Sequence, residues 1–460
     1  MRRSYSFLLL VPAILVFCAV SSAQNTIPEL VPFEQFLGFD PYLGLNPSYF
    51  EFNAAGEGAR AAGMGGAYLG IAEGEMAYSW NPAAMIYTDK TKIGIQLVSV
   101  MDSFQDAAGE TQFFYGEQNV RSFERDREHF SLNFGGFAAP FVFMERDWAI
   151  GGGYRNVSDM VYEFDTPGFS GSKNTFTQDR GIDAVSFAIA NKITEGIGIG
   201  LTINSYIRNS EFNYYWGAAN PAIIGADTTA VDIWTNLNSH FSGFNLDVGL
   251  AGDFGMVKGG VVIHTPFDLR QDAKWTLQVI VPPQPQGLID RVTYTHSIPI
   301  GYSVGLAAVP VENLTVAFDF DGRKMSDAEV KTNWEQLTFP DSTLNPGWED
   351  INQFRVGAEY VLDGGFADIP VRAGFRNEPS VSREILYSVP GSPDSTEYGD
   401  QVTTNIFSFG TGLYFEKIWF DLAYQFGNSS YNRTINLGAA EAFEIKRDYS
   451  RLFLSAGMYF

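Results

Sequence analysis

The sequence predicts an all-β protein: a transmembrane antiparallel up-and-down β-barrel of about 14 strands with a compact N-terminal hatch in its lumen. Three observations carry that expectation. From residue 91 to Phe460, apolar and polar residues alternate with the period of a strand rather than a helix. The connections between the alternating runs fall into very short and very long ones. Just before the first run lies a dense cluster of small residues, Gly58, Ala59, Ala61, Ala62, Gly63, Gly65, Gly66 and Ala67, able to fold tightly inside a crowded space.

Residues 1–23 have the form of a secretory leader. Arg2 and Arg3 form a charged start, residues 7–20 are an apolar run too short to span a bilayer comfortably, and Ser21 and Ala23 are small residues before a cleavage site at Gln24. Cys18, the only cysteine, lies in this leader behind Phe17, which argues against a lipid-modified N-terminus and leaves a mature chain without disulfides or thiolate sites. Residues 24–57 form an extension in which Pro28, Pro32, Pro41 and Pro47 interrupt regular structure. Its aromatics, Phe33, Phe36, Phe39, Tyr42, Tyr49, Phe50 and Phe52, suit packing in the lumen, docking on a partner, or a weakly ordered tail.

Residues 58–90 form the hatch segment. The small residues come first, and Trp80-Asn81-Pro82-Ala83 then marks a fixed turn, because Pro82 drives Asn81 out of the helical region.

Residues 91–460 form the barrel. Ile197, Ile199, Leu201 and Ile203 alternate with Gly198, Gly200, Thr202 and Asn204; Leu314, Val316, Phe318 and Phe320 with Thr315, Ala317, Asp319 and Asp321. Ile418, Phe420, Leu422, Tyr424 and Phe426 alternate with Trp419, Asp421, Ala423 and Gln425. Alternation alone fits a soluble sandwich as well as a membrane barrel. Loop length separates them. Short connections at 194–195, 310–313 and 416 oppose long polar ones at 102–127, 214–237, 324–351, 380–401 and 428–446, the arrangement of outer-membrane barrels. Fifteen per cent aromatics and 47 glycines fit aromatic girdles and crowded strands. In the final run, Leu452, Leu454, Ala456, Met458 and Phe460 share one apolar face, and Phe460 ends the chain.

The chemistry is sparse. A net charge of −23 argues against nucleic acid and against a basic patch for anionic lipid. His129, His240, His264 and His296 are scattered, and no hydrolase, phosphate-loop or metal motif occurs, so no catalytic residue, cofactor or metal is expected and the chain is not read as an enzyme. A Ser–His pair near the outer rim, where His240 and His296 are expected, remains the one catalytic alternative. Asp319, Asp321 and Asp421 are expected as solvated lumen carboxylates paired with arginines such as Arg208.

GARAAGMGGA followed by WNPA resembles the N-terminal signature of the FadL/TodX outer-membrane transport family, shared by the related PorV-like barrel proteins. The match is sharp over the hatch segment alone. The resemblance implies a fourteen-stranded barrel in the outer membrane of a Gram-negative-type bacterium, and a hatch whose positional residues here are Gly63, Gly65, Gly66, Asn81, Pro82 and Ala83. It implies uptake of hydrophobic small molecules, long-chain fatty acids or similar, by capture, hatch movement and lateral exit into the bilayer. In the family the exit is a kink in the third strand. Gly151, Gly152 and Gly153 in the third run here suit such a kink, or merely relieve crowding, and a kink would make Gly152→Val slow uptake without preventing assembly. Arg60, Arg155 and Arg208 are the candidates for a ligand's charged head. Leu454, Met458 and Phe460 resemble the signal read by the barrel-assembly machinery. The expected partners are therefore outer-membrane lipid, a hydrophobic ligand and that machinery. The alternative, from the PorV-like side, is an outer-membrane component of a protein-secretion system that docks protein partners through residues 31–52 and the long acidic loops.

Overall fold

A computed structural model describes residues 56–108, 123–167, 173–216, 221–224, 227–230, 232–281, 284–335, 342–387, 397–436 and 440–460. The leader with Cys18, and residues 24–55 of the extension, lie outside them.

Fourteen staves make one sheet. The first half comprises β1 (Lys92–Ala108), β2 (Phe123–Phe143), β3 (Arg146–Ser158, continued by Tyr162–Pro167), β4 (Lys173–Gln178, continued by Ile182–Thr194), β5 (Ile197–Trp216), β6 (Asp232–Asp253) and β7 (Val257–His264, continued by Phe267–Val281). The second comprises β8 (Gln284–Ile298, continued by Gly301–Val311), β9 (Leu314–Arg323, continued by Glu329–Trp334), β10 (Ser342–Leu344, continued by Ile351–Asp363), β11 (Asp368–Tyr387), β12 (Glu397–Tyr414), β13 (Ile418–Asn436) and β14 (Ala440–Tyr459). Each pairs antiparallel with its neighbours in sequence, and β14 closes on β1 from Lys92↔Tyr459 to Ala108↔Phe443. Closure joins the first and last staves, so the barrel sheet has no free end.

The burial pattern settles sandwich against membrane barrel. On β5, Ile199, Ile203 and Ile207 are exposed, while Thr202 and Asn204 are fully buried. On β13, Phe420, Leu422, Tyr424 and Phe426 face out, while Trp419, Asp421 and Gln425 face in. A protein dissolved in water buries the opposite set. An apolar exterior around a polar interior is the arrangement of a barrel standing in lipid. Among the described residues no helix is long and apolar enough to cross a membrane; the strands cross it.

Strands extend well beyond the expected boundaries. Much of 102–127, 214–237, 324–351, 380–401 and 428–446, expected as loop, is ladder: β1 runs to Ala108, β2 starts at Phe123, β11 reaches Tyr387 and β14 starts at Ala440. Above the bilayer both strand faces meet water, so the alternation fades from the sequence while the backbone bonds continue.

The lumen is layered. At the short-turn end sits the segment before β1, built of helix α1 (Ala59–Gly63), helix α2 (Ala77–Trp80) and three 3₁₀ turns. At mid-height, β3, β4, β7, β8, β9 and β10 are interrupted at 159–161, 179–181, 265–266, 299–300, 324–328 and 345–350. There Val157, Met160, Tyr206, Phe241, Met325 and Trp348 belong to an apolar cluster that covers the middle of the lumen.

Candidate functional site

The site is the cavity between this cluster and the N-terminal segment. Its floor is hard-packed against the wall because the wall bares its backbone there. A Cβ on Gly357 would stand 2.2 Å from Met64 O, on Gly374 2.2 Å from Gly65 N, and on Gly200 2.4 Å from Ala83 N. Gly249 and Gly260 would meet the Asn81 amide at 2.3 Å. Any side chain at these wall positions would displace the floor. Within the segment, Gly65 and Gly66 take φ of 68° and 82°, the left-handed turn that glycine favours.

Polar bonds fix the same contact. Gln425 Nε2 donates to Ala62 O (2.9 Å), Ser408 Oγ to Gly63 O (3.1 Å) and Thr202 Oγ1 to Tyr78 O (2.9 Å). Asp319 accepts from the amides of Tyr68 (2.7 Å) and Leu69 (2.8 Å). Asn81 is the pivot of the turn: its Oδ1 accepts from Ala83 N (3.1 Å), starting the 3₁₀ turn that Pro82 opens, and its Nδ2 donates to Leu250 O (3.1 Å). Gly63, Gly65, Gly66, Asn81, Pro82 and Ala83 all lie buried in the floor.

Arg60 is an anchor. Its guanidinium holds Glu359 on β10 through Nη2 (2.7 Å) and Nε (3.0 Å), and Glu73 through Nη1 (2.6 Å). Glu359 also accepts from Arg372 (2.5 Å), which reaches Asp421 (2.5 Å). The carboxylates expected to be solvated and paired with Arg208 are therefore buried and paired otherwise: Asp421 with Arg372, Asp321 with Arg355, and Asp319 with backbone amides. A charge this far from water persists only with such partners. Arg208 binds Asp183 (2.5 Å), and buried Arg155 stands at the last rung between β2 and β3, with Nη2 3.5 Å from Asn204 Oδ1. Arg60, Arg155 and Arg208 do not converge. The arginines that line the cavity are Arg323, Arg355, Arg376 and Arg451. Period-two alternation marks them, since each faces inward between outward-facing neighbours such as Phe354 and Val356 around Arg355.

The cavity measures 170 Å³ and its lining is mixed on every side. The β7–β11 wall contributes His264, Asp321, Arg323 and Arg355 together with Ile351 and Val381; the β14–β1 wall contributes Val98, Val100 and Phe453 together with Gln96 and Arg451. At its floor Glu57 accepts a short bond from Asn133 Nδ2, and burial pushes its carboxyl up to about 8 against the pull of Arg155.

The backbone ladder of the wall next to β1 is incomplete. The β2–β3 ladder runs from Phe143↔Arg146 to Phe134↔Arg155 and stops. Above it, among the described residues, the β2 ladder from Leu132 to Phe123 is to β1 alone. Gly151, Gly152 and Gly153 are below the gap, paired on both sides with β2 and β4. A Cβ on Gly152 would stand 2.3 Å from Ser186 O, and Gly152 and Gly153 take φ of 154° and 157°, so close approach and backbone conformation both require glycine here. The irregularity in this stave begins after Asn156, where the β4 register shifts, and continues through 159–161.

The histidines do not form a reaction centre open to the cavity. His240 faces out against Asn209 (2.7 Å) and His296 faces in against Gln271 (3.2 Å), so the two cannot meet. His264 bridges Asp247 (2.7 Å) and Ser303 (3.0 Å), the order of a nucleophilic relay, but Ser303 is 2% exposed and is not among the lining residues. The three residues tie β6, β7 and β8 together. No group of three or more potential metal ligands occurs among the described residues. At the C-terminus, Leu454, Met458 and Phe460 are exposed on the outer face, and Phe460 N donates to Thr91 O (2.9 Å).

Barrel, lumenal floor and side gap define a class: transmembrane barrels whose lumen is filled at one end by their own N-terminal segment. Among solved structures the chain is similar to a Pseudomonas aeruginosa FadL homologue (11% identity, TM-score 0.62, covering 88% of this chain and 98% of that one). It is also similar to the P. putida toluene transporter TodX (13%, 0.59, 89% and 99%) and the Ralstonia pickettii toluene transporter TbuX (15%, 0.55, 89% and 100%). The fold is that of these outer-membrane transporter barrels. No family model and no curated protein matches the sequence.

Proposed function

We propose that this protein is an outer-membrane transporter of the FadL/TodX type, carrying hydrophobic small molecules from outside into the bilayer through its own wall. The observation that carries this reading is the break in the ladder between β2 and β3, directly beside the lumenal cavity that Asn133, Asn156 and Val157 line there. With the floor docked by the glycine contacts and the polar bonds, passage straight down is closed, and the wall is the remaining route. An apolar molecule gains by leaving into lipid rather than into water. The cavity volume of 170 Å³ matches one small ring, since a cavity of about 150 Å³ takes up benzene; a long acyl chain would need it to enlarge. The solved relatives include proteins described as toluene transporters.

The test is uptake of radiolabelled toluene by cells carrying the protein, beside mass spectrometry of molecules that co-purify in mild detergent. We expect faster uptake than in cells without the protein, and a co-purified apolar molecule. An empty lumen with a protein retained on gentle extraction, and no gain in uptake, would instead support a secretion-system component; the residues 31–52 that would dock such a partner lie outside the described residues.

A further inference from the structure

We propose that Arg127, His129 and Asp159 form a latch that holds the side gap shut, and that release of the 159–161 segment from β2 opens it. The inference rests on the lateral-exit reading and adds to it a closed resting state with named residues.

Where the ladder between β2 and β3 ends, side chains take over from the backbone. Arg127, buried on the lumenal face of β2, donates from Nε to Val161 O (2.6 Å) and from Nη2 to Asp159 O (2.8 Å). Its Nη2 also stands 3.0 Å from Asp159 Oδ1, and His129 Nε2 stands 2.7 Å from Asp159 Oδ2. Two residues of β2 thereby hold both the carbonyls and the carboxylate of the one segment of β3 that has left the strand conformation. A backbone ladder opens only by losing a run of coupled bonds, whereas this seam opens by turning one short segment.

Three further features fit a moving part. Asp159 accepts from Val161 N (3.1 Å), so the segment carries its own turn and can swing as a unit. Arg127 also faces Asp102 on β1 (3.5 Å), a carboxylate shared with Arg447 (2.9 Å) and Arg451 (3.6 Å) of β14, so on release the guanidinium keeps a part share in one carboxylate. The seam also joins the right spaces. Asn133, Asn156, Val157 and Asp159 line the cavity on the inside, while Phe130 (60% exposed) and Leu132 present an apolar face to lipid on the outside.

The experiment places spin labels at Phe130→Cys and Glu163→Cys, with Cys18 replaced by serine, and measures the distance across the seam in the full chain in lipid. Unaltered at the latch, the protein should give one narrow distance. Asp159→Ala and Arg127→Gln should each lengthen and broaden it by about 5 Å, one inter-strand spacing. Heat-modifiable migration on gels reports that each barrel is folded. Should either variant fail that check, His129→Gln, which removes one arm, should give a smaller lengthening. An unchanged distance in the folded variants overturns the latch, whatever happens to uptake. Toluene uptake is measured on the same proteins: a several-fold rise alongside an opened seam supports latch and exit together. An opened seam with unchanged uptake supports the latch while counting against lateral exit.

Discussion

Arg60 is from sequence one of three candidates for a ligand's charged head, and its guanidinium is held by Glu359 and Glu73. An anchor and a ligand partner respond differently to truncation. Arg60→Ala leaves Glu359 with Arg372 still at 2.5 Å, so the cost is that of lost charged hydrogen bonds rather than of an orphaned carboxylate. We expect about 1–3 kcal/mol of weaker docking, read as roughly 5- to 150-fold faster amide exchange over residues 58–66. The concentration of toluene giving half-maximal uptake should stay unchanged; a large rise in it, with exchange unaltered, would restore the ligand role. The sequence does carry the period that places Arg355, Arg372 and Arg451 inside, but not their partners. Glu359 meets Arg372 from the neighbouring stave and Asp421 meets it from two staves away, and one chain read alone contains no register between strands.

At the scale of the element, the segment from Gly58 to β1 folds tightly because it contributes few side chains and the wall contributes fewer. Both halves of that fit are glycine, and only the segment's half is conspicuous in sequence; Gly357 and Gly374 read as ordinary strand interruptions until Met64 and Gly65 are seen against them. Glu57 makes the segment's first corner sensitive to pH. Its docked carboxyl titrates near 8 against an ordinary value of 4.5, because burial disfavours the charge. Below the ordinary value both docked and undocked forms are protonated and docking gains nothing from pH. From there upward the undocked carboxyl ionises while the docked one keeps its proton, so docking weakens as pH rises and the loss is complete above about 8. Amide exchange over residues 58–63 should therefore accelerate between neutral pH and pH about 9 beyond the intrinsic rise. In Glu57→Gln that excess should vanish. The same excess in the variant would assign it to another group.

At the scale of the molecule, number and direction of staves were legible because a strand crossing lipid must alternate, residue by residue, for as long as it is in the bilayer. The third stave shows where legibility ends. Its triple glycine keeps its ladder while Gly152 and Gly153 take φ of 154° and 157°, and the interruption of the strand follows at residues 159–161, where nothing in the local pattern announces it. The difference is tertiary: the segment leaves its strand because Arg127 and His129 on another stave replace the backbone partners. Closure of the lumen is likewise a property of the whole. The barrel's ladder closes through β1 and β14 without help from the hatch, whereas the end of the lumen is filled only by it. Deleting residues 58–87 should therefore leave a folded, heat-modifiable barrel while removing the floor. The lumenal carboxylates and arginines that faced the segment, Asp319 and Glu359 among them, would then meet water, which solvates them at less cost than a dry interior. In planar bilayers the deleted protein should show steady ion conductance where the intact chain shows almost none. Equal conductance in the two would mean that the segment does not seal the lumen, and passage straight through the barrel would then replace exit through the wall.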